Sequence, residues 1–223
     1  MAFGCLSPKD KRQIIYIGKG LRLKIAVLVS GSGTNLQTLI EKLHQDETSG
    51  IEIAVVISDR QKAYAITRAK RANIPTQVVK TRDFENRIDF DAEISRTIEH
   101  YAAELVVLAG FMKLFQPPFV RKYKNRIINV HPTLLPAFPG AHPVADTLAY
   151  GVKFTGVTVH FVDEGVDTGP IIAQSVVPVL DTDDEGSLHN RIQVQEHKLY
   201  PQVIKWYAEG KLKIKGRKVI VKQ

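Results

Sequence analysis

The chain has 223 residues, of which 44% are hydrophobic and 24% charged, with 15 glycines and 11 prolines. This length and composition are typical of one sizeable globular domain that holds its core without disulfides or a structural metal. The single cysteine, Cys5, excludes an intramolecular disulfide, and the longest apolar stretches are far too short to cross a bilayer. No signal peptide is recognisable. We therefore expect a cytoplasmic protein without membrane contact.

The net charge of +8 is concentrated at the two ends of the chain. Residues 1–24 hold six Lys/Arg and one acid, and residues 205–223 hold seven Lys/Arg and one acid. The body between them is mildly acidic, whereas a nucleic-acid enzyme is expected to carry its basic stripe on the body. We predict solvated basic ends and no nucleic-acid partner.

Strand and helix patterns alternate along the first 130 residues, which predicts an α/β fold with a doubly wound, Rossmann-like, mostly parallel sheet. Short apolar runs typical of buried parallel strands cover residues 24–30, 51–58, 76–79, 104–109 and 126–130. Helical spacing of apolar side chains covers residues 35–43, 63–72 and 83–103, and a further helix follows Pro117 and Pro118. In the helix over 83–103, Ile88 belongs to the predicted apolar face.

The pattern changes after residue 130. Residues 132–143 contain four prolines and a glycine, which predicts a long shaped loop. Alternating residues 155–162 and 171–179 predict an antiparallel strand pair with a wide turn. A long helix over 184–208, kinked at Pro201, and a small hairpin within 212–221 follow. We expect one domain over 24–210, between an N-terminal extension (1–23) and a basic C-terminal tail (211–223).

The motif Gly31-Ser-Gly-Thr-Asn-Leu36 follows a strand and opens a helix. Its successive backbone N–H groups and the positive helix end favour a phosphate. It is not a dinucleotide fingerprint, because Leu36 occupies the third glycine position, and no Walker lysine follows. We predict that it binds a mononucleotide or sugar phosphate; the alternative is a tight turn with Asn35 as a helix cap.

Asn129 and His131 end the predicted fifth strand, where a period of two places them on the same face. Ligands of open α/β sheets gather at the carboxyl ends of the strands, and a carboxamide beside an imidazole can bind an oxygen that gains negative charge. Asp167 lies in a loop between Gly165 and Gly169. Because a nearby carboxylate raises the pKa of a histidine, we expect His131 to be charged. The alternatives are a buried, satisfied histidine and an Asx-turn aspartate.

Several other chemistries lack their residues. Cys5 is a poor candidate nucleophile, no Gly-x-Ser-x-Gly elbow occurs, and the histidines show no metal-binding spacing. The remaining interpretation is acyl transfer without a metal or a covalent intermediate.

Five segments together carry a family resemblance. They are Gly31-Ser-Gly-Thr-Asn35, Leu108-Ala-Gly-Phe-Met-Lys-Leu-Phe115, Asn129-Val-His-Pro-Thr-Leu-Leu-Pro136, residues 156–169 and Gln195-Glu-His-Lys-Leu-Tyr-Pro201. In this order they resemble the phosphoribosylglycinamide formyltransferases, folate-dependent enzymes of purine synthesis, over about residues 24–210.

The resemblance implies a formyltransferase fold and the following activity. The formyl group of 10-formyltetrahydrofolate, a co-substrate, passes to the amine of N1-(5-phospho-D-ribosyl)glycinamide, giving formylglycinamide ribonucleotide and tetrahydrofolate, without a metal.

The implied catalytic residues are Asn129, His131 and Asp167. The implied substrate-binding residues are Gly33, Thr34, Asn35 and Glu196, in a phosphate-binding N-terminal half and a C-terminal part that helps to bind folate. The implied folate-binding residues are Arg87, Met112, Lys113, Leu114 and Phe115. We expect a monomer or homodimer with small-molecule partners.

Three rival interpretations differ in their partners. Formyltetrahydrofolate hydrolases usually carry an additional N-terminal regulatory domain, for which residues 1–23 are too short. Methionyl-tRNA formyltransferases add a C-terminal RNA-binding domain, for which residues 211–223 are too short. A catalytically silent nucleotide-binding module is the third, and the intact trio beside the phosphate motif speaks against it.

Overall fold

Residues 22–222 are described by a computed structural model, and within them the chain forms a seven-stranded mixed sheet and a separate hairpin. The strands are β1 (Leu23–Val29), β2 (Ile51–Ser58), β3 (Thr76–Val78), β4 (Leu105–Leu108), β5 (Ile127–His131), β6 (Phe154–Phe161), β7 (Ile171–Pro178), β8 (Leu212–Lys215) and β9 (Lys218–Val221). The α-helices are α1 (Thr34–Leu39), α2 (Tyr64–Arg71), α3 (Arg87–His100), α4 (Pro117–Lys122), α5 (Pro143–Tyr150) and α6 (Glu185–Ala208). A π-helical turn (Ile40–His44) continues α1, and two short 3-10 turns cover Glu47–Ser49 and Thr81–Asp83.

The strand order is β3-β2-β1-β4-β5-β6-β7. The first five strands in this order are parallel to one another, β6 is antiparallel to β5, and β7 is antiparallel to β6. The chain first builds outward from β1 to β3 and then returns to build β4 and β5 on the other side. The connections that leave β1 and β4 therefore run in opposite directions, which opens a crevice at the carboxyl ends of these two strands. The predicted fold class is confirmed.

Both faces of the sheet are buried, which explains the continuous apolar strands. In β1, Ile25, Val27 and Val29 pack in the layer that contains α1, α2 and α6, whereas Ala26 and Leu28 pack in the layer that contains α3 and α4. The two-residue period of a strand sends alternate side chains into these two layers.

Two helix predictions need correction. The α3 helix begins at Arg87 rather than at residue 83, because the Asn86 side chain accepts a hydrogen bond from the Asp89 amide (3.0 Å) and caps the helix there. Ile88, predicted on the apolar face, is 58% exposed. Helix α5 was not predicted, although it begins with Pro143 and is followed by Gly151 with φ 80°, both typical boundary signals.

The C-terminal predictions are confirmed for the antiparallel pair β6–β7, the long helix α6 and the hairpin β8–β9. Pro201 lies inside α6, and the kink there stays a prediction. The proposed N-terminal extension lies outside the described residues except for its last two, of which Leu23 opens β1. Among the helices of residues 22–222, none combines the length and apolarity that crossing a membrane requires.

Candidate active site

A cavity of about 970 Å³ occupies the crevice at the carboxyl ends of the central strands. Its walls come from the loop after β1, the loop after β4, the end of β5, the loop between β6 and β7, and one face of α6. This volume suits a ligand of cofactor size. The cavity therefore lies where the topology of the sheet predicts a binding site.

The loop after β1 is fixed by close packing against α2. Gly33, the residue before α1, has φ 74°, and a Cβ atom there would lie 2.6 Å from the Cβ of Ala65. The carbonyl of Gly31 accepts a hydrogen bond from the Ala65 amide (3.1 Å), and that of Ser32 accepts one from Arg68 Nε (2.9 Å). Only glycine fits position 33, because both its backbone conformation and its neighbour exclude a side chain.

Helix α6 completes this end of the cavity. Gln193 Nε2 donates to Thr34 Oγ1 (2.8 Å), and Asn35 Nδ2 donates to Glu196 Oε2 (2.9 Å). Burial raises the pKa of Glu196, which is 5% exposed, although the Asn35 amide opposes that shift. Asn35 lies inside α1 and does not cap it, so the capping role that the alternative gave to Asn35 is wrong, whereas phosphate binding by this loop stays a prediction.

The position of α6 is set from within the core. The fully buried hydroxyl of Tyr200 lies 3.0 Å from the carbonyl oxygen of Leu108 and 2.9 Å from that of Ile128. These carbonyls belong to β4 and β5. Tyr200 follows Glu196 by four residues, one helical turn, so the same helix contacts the strand ends and the loop after β1.

The predicted catalytic residues come together in space. His131 Nδ1 lies 3.4 Å from Asp167 Oδ2, and Asn129 lies two residues earlier on the same strand. Asp167, with φ 53°, points into the site from the loop between β6 and β7 and accepts a hydrogen bond from the Gly140 amide (2.9 Å). The Asx turn of that loop is made by Asp163, which accepts from the Gly165 amide (3.1 Å). The alternative of Asp167 as an Asx-turn residue is therefore wrong.

His160 is a site residue that the sequence interpretation considered only as a metal ligand. It lies on β6 directly opposite Asn129, with its Nε2 atom 3.2 Å from Asn129 Nδ2 and 3.6 Å from Asp167 Oδ1. Its Nδ1 atom lies 2.9 Å from the Phe161 carbonyl. The antiparallel pairing of β5 with β6 could have revealed it, since cross-strand partners on one face are neighbours.

The expected charge on His131 is not supported. Burial lowers the pKa of His131, and this outweighs the Phe138 carbonyl and the Asp167 carboxylate, which both raise it. The prediction of a raised pKa is wrong because it counted the carboxylate and not the burial. Nε2 lies 2.9 Å from the Phe138 carbonyl and Nδ1 faces Asp167, so a proton on either nitrogen meets an acceptor.

At Asp167 the neighbouring groups outweigh the effect of burial on the pKa. Burial raises the pKa of Asp167, but the neighbouring His160 ring, with Nε2 3.6 Å from Oδ1, a hydrogen bond from the Gly140 amide and the nearby His131 together lower it below its usual value. Near pH 7 the site thus pairs an ionised carboxylate with a neutral histidine.

The loop after β4 supplies an apolar wall. Met112 and Leu114 are 56% and 64% exposed and line the cavity with Lys113 and Phe115. The loop is anchored at both ends, since the Met112 amide donates to Ser30 Oγ (2.9 Å) and the Gln116 amide donates to Asp91 Oδ2 (2.7 Å). Such exposed apolar side chains on a fixed backbone suit a planar, partly apolar ligand.

Two predicted binding residues, Gly33 and Arg87, are not among the residues that line the cavity. Gly33 shapes the backbone of its loop, and the guanidinium of Arg87 donates to the carbonyl of Leu114. Thr34, Asn35 and Glu196 do line the cavity. Direct contacts of Gly33 and Arg87 with a ligand stay predictions.

Comparison with known proteins agrees with this geometry. The formyl transferase family model matches residues 23–204, and the chain belongs to the formyl transferase family. It is 41% identical over 192 residues to the phosphoribosylglycinamide formyltransferase of Escherichia coli, covering 86% of this chain and 90% of that protein. It is 44% identical over 191 residues to the trifunctional purine biosynthetic protein adenosine-3 of Drosophila melanogaster, covering 85% of this chain but only 14% of that protein.

Solved structures show the same fold. Glycinamide ribonucleotide transformylase 1 from Symbiobacterium toebii superimposes with a TM-score of 0.89 at 42% identity, covering 95% of this chain and all of that one. A formyltetrahydrofolate deformylase from Pseudomonas syringae superimposes with a TM-score of 0.85 at 29% identity, covering 92% of this chain and 67% of that one. The fold is thus shared by proteins described as a transformylase and as a deformylase.

Proposed function

We propose that this chain transfers the formyl group of 10-formyltetrahydrofolate to the amine of N1-(5-phospho-D-ribosyl)glycinamide, in de novo purine synthesis. One observation carries the proposal: a single cavity joins the glycine-containing loop after β1, the apolar loop after β4 and the buried trio Asn129, His131 and Asp167. These three parts match the phosphate, the pterin-bearing donor and the reacting carbonyl. The similarity to two separately described glycinamide ribonucleotide enzymes supports the same substrates.

The phosphate of the acceptor would lie against the backbone N–H groups of residues 31–35, because oriented amides at a loop before a helix bind anions. Glu196 and Asn35 lie one step further into the cavity and suit the hydroxyl groups of the ribose. The amine then points toward the end of β5. The folate would lie along the loop of Met112–Phe115, with its formyl group at Asn129.

The reaction moves one proton and exchanges one bond. The amine nitrogen attacks the formyl carbon, the bond from that carbon to the folate nitrogen breaks, and a proton passes from the amine to the departing nitrogen. Asn129 would donate a hydrogen bond to the oxygen that becomes negative. That negative charge raises the pKa of His131, so the neutral ring takes up the proton that the attacking amine releases and passes it to the departing nitrogen.

Asp167 has two tasks in this scheme. Its carboxylate faces Nδ1 of His131 and stabilises the ring once it is charged. It also orients the ring, because it faces Nδ1 while the Phe138 carbonyl faces Nε2. For Nε2 to reach the substrate oxygen, that oxygen must take the place of the Phe138 carbonyl. No step requires a metal, and metal independence stays a prediction.

The activity assay mixes the purified chain with 10-formyltetrahydrofolate and the ribonucleotide, and follows the folate absorbance and the formylated product. We expect turnover only with both substrates present. Release of tetrahydrofolate without the ribonucleotide would indicate a hydrolase. Binding of both substrates without turnover would indicate a silent nucleotide-binding module. A monomer or homodimer is expected from size measurements under assay conditions.

A further inference from the structure

The hairpin β8–β9 is fixed to the body of the protein, although it is not part of the seven-stranded sheet. It follows α6 directly, and the Lys211 amide donates to the carbonyl of Trp206 in the last turn of that helix (2.9 Å). Strand β9 lies against β7. Three apolar side chains of the hairpin pack against the core layer that contains α6, namely Leu212, Ile214 and Val219. The hairpin therefore holds a defined position relative to the sheet.

The turn of the hairpin carries Arg217 at its tip. Gly216 and Arg217 connect the two strands, and Gly216 has φ 59°, as the tight turns of β-hairpins require at this position. The guanidinium of Arg217 reaches the loop of residues 163–169 between β6 and β7, which we call the Asp167 loop. Its Nη2 atom donates to the carbonyl of Thr168 (2.8 Å). Arg217 is not among the residues that line the main cavity, so it contacts this loop from outside the cavity.

Thr168 directly follows the proposed catalytic residue Asp167. Asp167 has φ 53°, a left-handed conformation that persists only where the surrounding contacts enforce it. On the cavity side, the Gly140 amide donates to the Asp167 carboxylate (2.9 Å). On the outer side, Arg217 holds the peptide group that follows the next residue. Contacts from two opposite sides thus constrain Asp167.

The Asp167 loop is tied together internally. Asp163 Oδ1 accepts hydrogen bonds from the Gly165 amide (3.1 Å) and from the Thr168 hydroxyl (2.6 Å). In the described part of the chain, the bond from Arg217 is the one hydrogen bond by which another element holds the backbone of this loop. Because the loop is closed on itself, a constraint at Thr168 is transmitted to Asp167.

We propose that Arg217 is a positioning residue for the reaction. Through Thr168 it holds Asp167 where the carboxylate faces Nδ1 of His131 and can orient and stabilise that ring. This inference rests on the proposed function, since it concerns the role assigned there to Asp167. Two alternatives are a contribution to stability alone and an effect of the positive charge through space. Each predicts a different result in the following experiment.

The experiment compares three variants of the full chain. Arg217→Met removes the hydrogen-bond donors and keeps an unbranched apolar stem, whereas Arg217→Lys keeps a cationic donor. Lys215→Met is the matched control, because Lys215 is an exposed cation beside the same turn and its loss changes the charge equally. Thermal unfolding checks that all three variants are folded at the temperature of the assay.

Steady-state kinetics with both substrates gives the first readout. In Arg217→Met we expect kcat to fall about fivefold to tenfold, the effect of losing one exposed, charge-assisted hydrogen bond. The KM for each substrate should stay within about twofold, because Arg217 does not line the cavity. Arg217→Lys should recover most of the wild-type kcat, and Lys215→Met should keep it. An equal loss of kcat in Lys215→Met would indicate an effect of charge alone and would overturn the proposal.

A double-mutant cycle shows whether Arg217 acts through Asp167. Asn tolerates the left-handed conformation as Asp does, so Asp167→Asn removes the carboxylate without requiring a new backbone conformation. In this background, Arg217→Met should change kcat by less than about twofold. The same loss of kcat as in the wild-type background would show that Arg217 acts elsewhere, which contradicts the proposal.

Hydrogen exchange of the amides of the Asp167 loop gives a readout that does not depend on turnover. Exchange should be faster in Arg217→Met than in the wild type and unchanged in Lys215→Met. Unchanged exchange in Arg217→Met, or an unchanged kcat in that variant, would overturn the assignment. Absence of turnover in the wild type would contradict the proposed function instead, and the exchange rates would still decide whether Arg217 holds the loop.

Discussion

The two walls of the main cavity are built by different physical means. The loop after β1 is shaped by a steric constraint, the left-handed conformation of Gly33 against Ala65. The catalytic wall is held by polar contacts, with His131 against Phe138 and Asp167 against Gly140. Changes in the first wall should therefore appear mainly as lost stability, and changes in the second mainly as lost rate.

The largest expected effect is in the catalytic wall. The substitution His131→Ala removes the group that meets the developing charge, and we expect kcat to fall by about 10²–10³-fold. Because the side chain is buried against the Phe138 carbonyl, the unfolding temperature should fall as well, so turnover is measured at a temperature where the variant is folded. Kinetics and thermal unfolding of the same preparation check both statements, with His100→Ala, an exposed histidine, as control. Near-normal turnover in a folded His131→Ala protein would contradict the assignment.

The next effect tests the first wall. The substitution Gly33→Ala forces a side chain into the left-handed region with its Cβ atom 2.6 Å from that of Ala65. We expect a loss of about 2–4 kcal/mol in the free energy of unfolding, measured by chemical denaturation. Gly31→Ala is the matched control, because a Cβ atom there meets nothing within 4 Å. Equal stability of the two variants would remove the steric account of this wall.

A smaller effect is expected at Glu196, where the stability of the fold and the binding of the ribonucleotide make opposite demands. Because the pKa of Glu196 is raised, its contribution to stability is complete below the ordinary pKa and is lost as the pH rises through the raised value. The substitution Glu196→Gln stays neutral and can still accept from Asn35. It should be more stable than the wild type at pH 8 and lose that advantage at acidic pH, while the KM for the ribonucleotide rises roughly tenfold.

The measurement for this variant is thermal unfolding at several pH values beside substrate titration. Glu209→Gln, at an exposed end of α6, is the control and should change neither quantity. If the variant were less stable than the wild type at pH 8, the charged form of Glu196 would not destabilise the folded state.

The smallest expected effect is a shift of the pH profile of kcat/KM. Burial lowers the pKa of His131, while the Asp167 carboxylate raises it. In Asp167→Asn the raising contribution is lost, so the acid limb of kcat/KM should move to lower pH, in addition to a lower rate. The pH profile of the wild type and the variant checks the direction. A limb that stays in place would mean that another group controls it.

Most of the fold could be predicted because the strands are buried on both faces and carry an unbroken apolar signal, as in β1 and β2. Asn129 and His131 were predictable from their position at a strand end. The neutral state of His131 was not, because burial is a property of the assembled structure. The position of His160 in the site follows from strand pairing, and α5 was obscured by the prolines that precede it.

The hydroxyl of Tyr200, between the carbonyls of Leu108 and Ile128, fixes the rotation of α6 about its own axis. Each residue of an α-helix turns the chain by about 100°. One residue inserted between Glu196 and Tyr200 would swing Gln193 and Glu196 away from the loop after β1, even with every side chain intact. The recognition of the acceptor thus depends on the residue count along one stretch of helix as well as on residue identity.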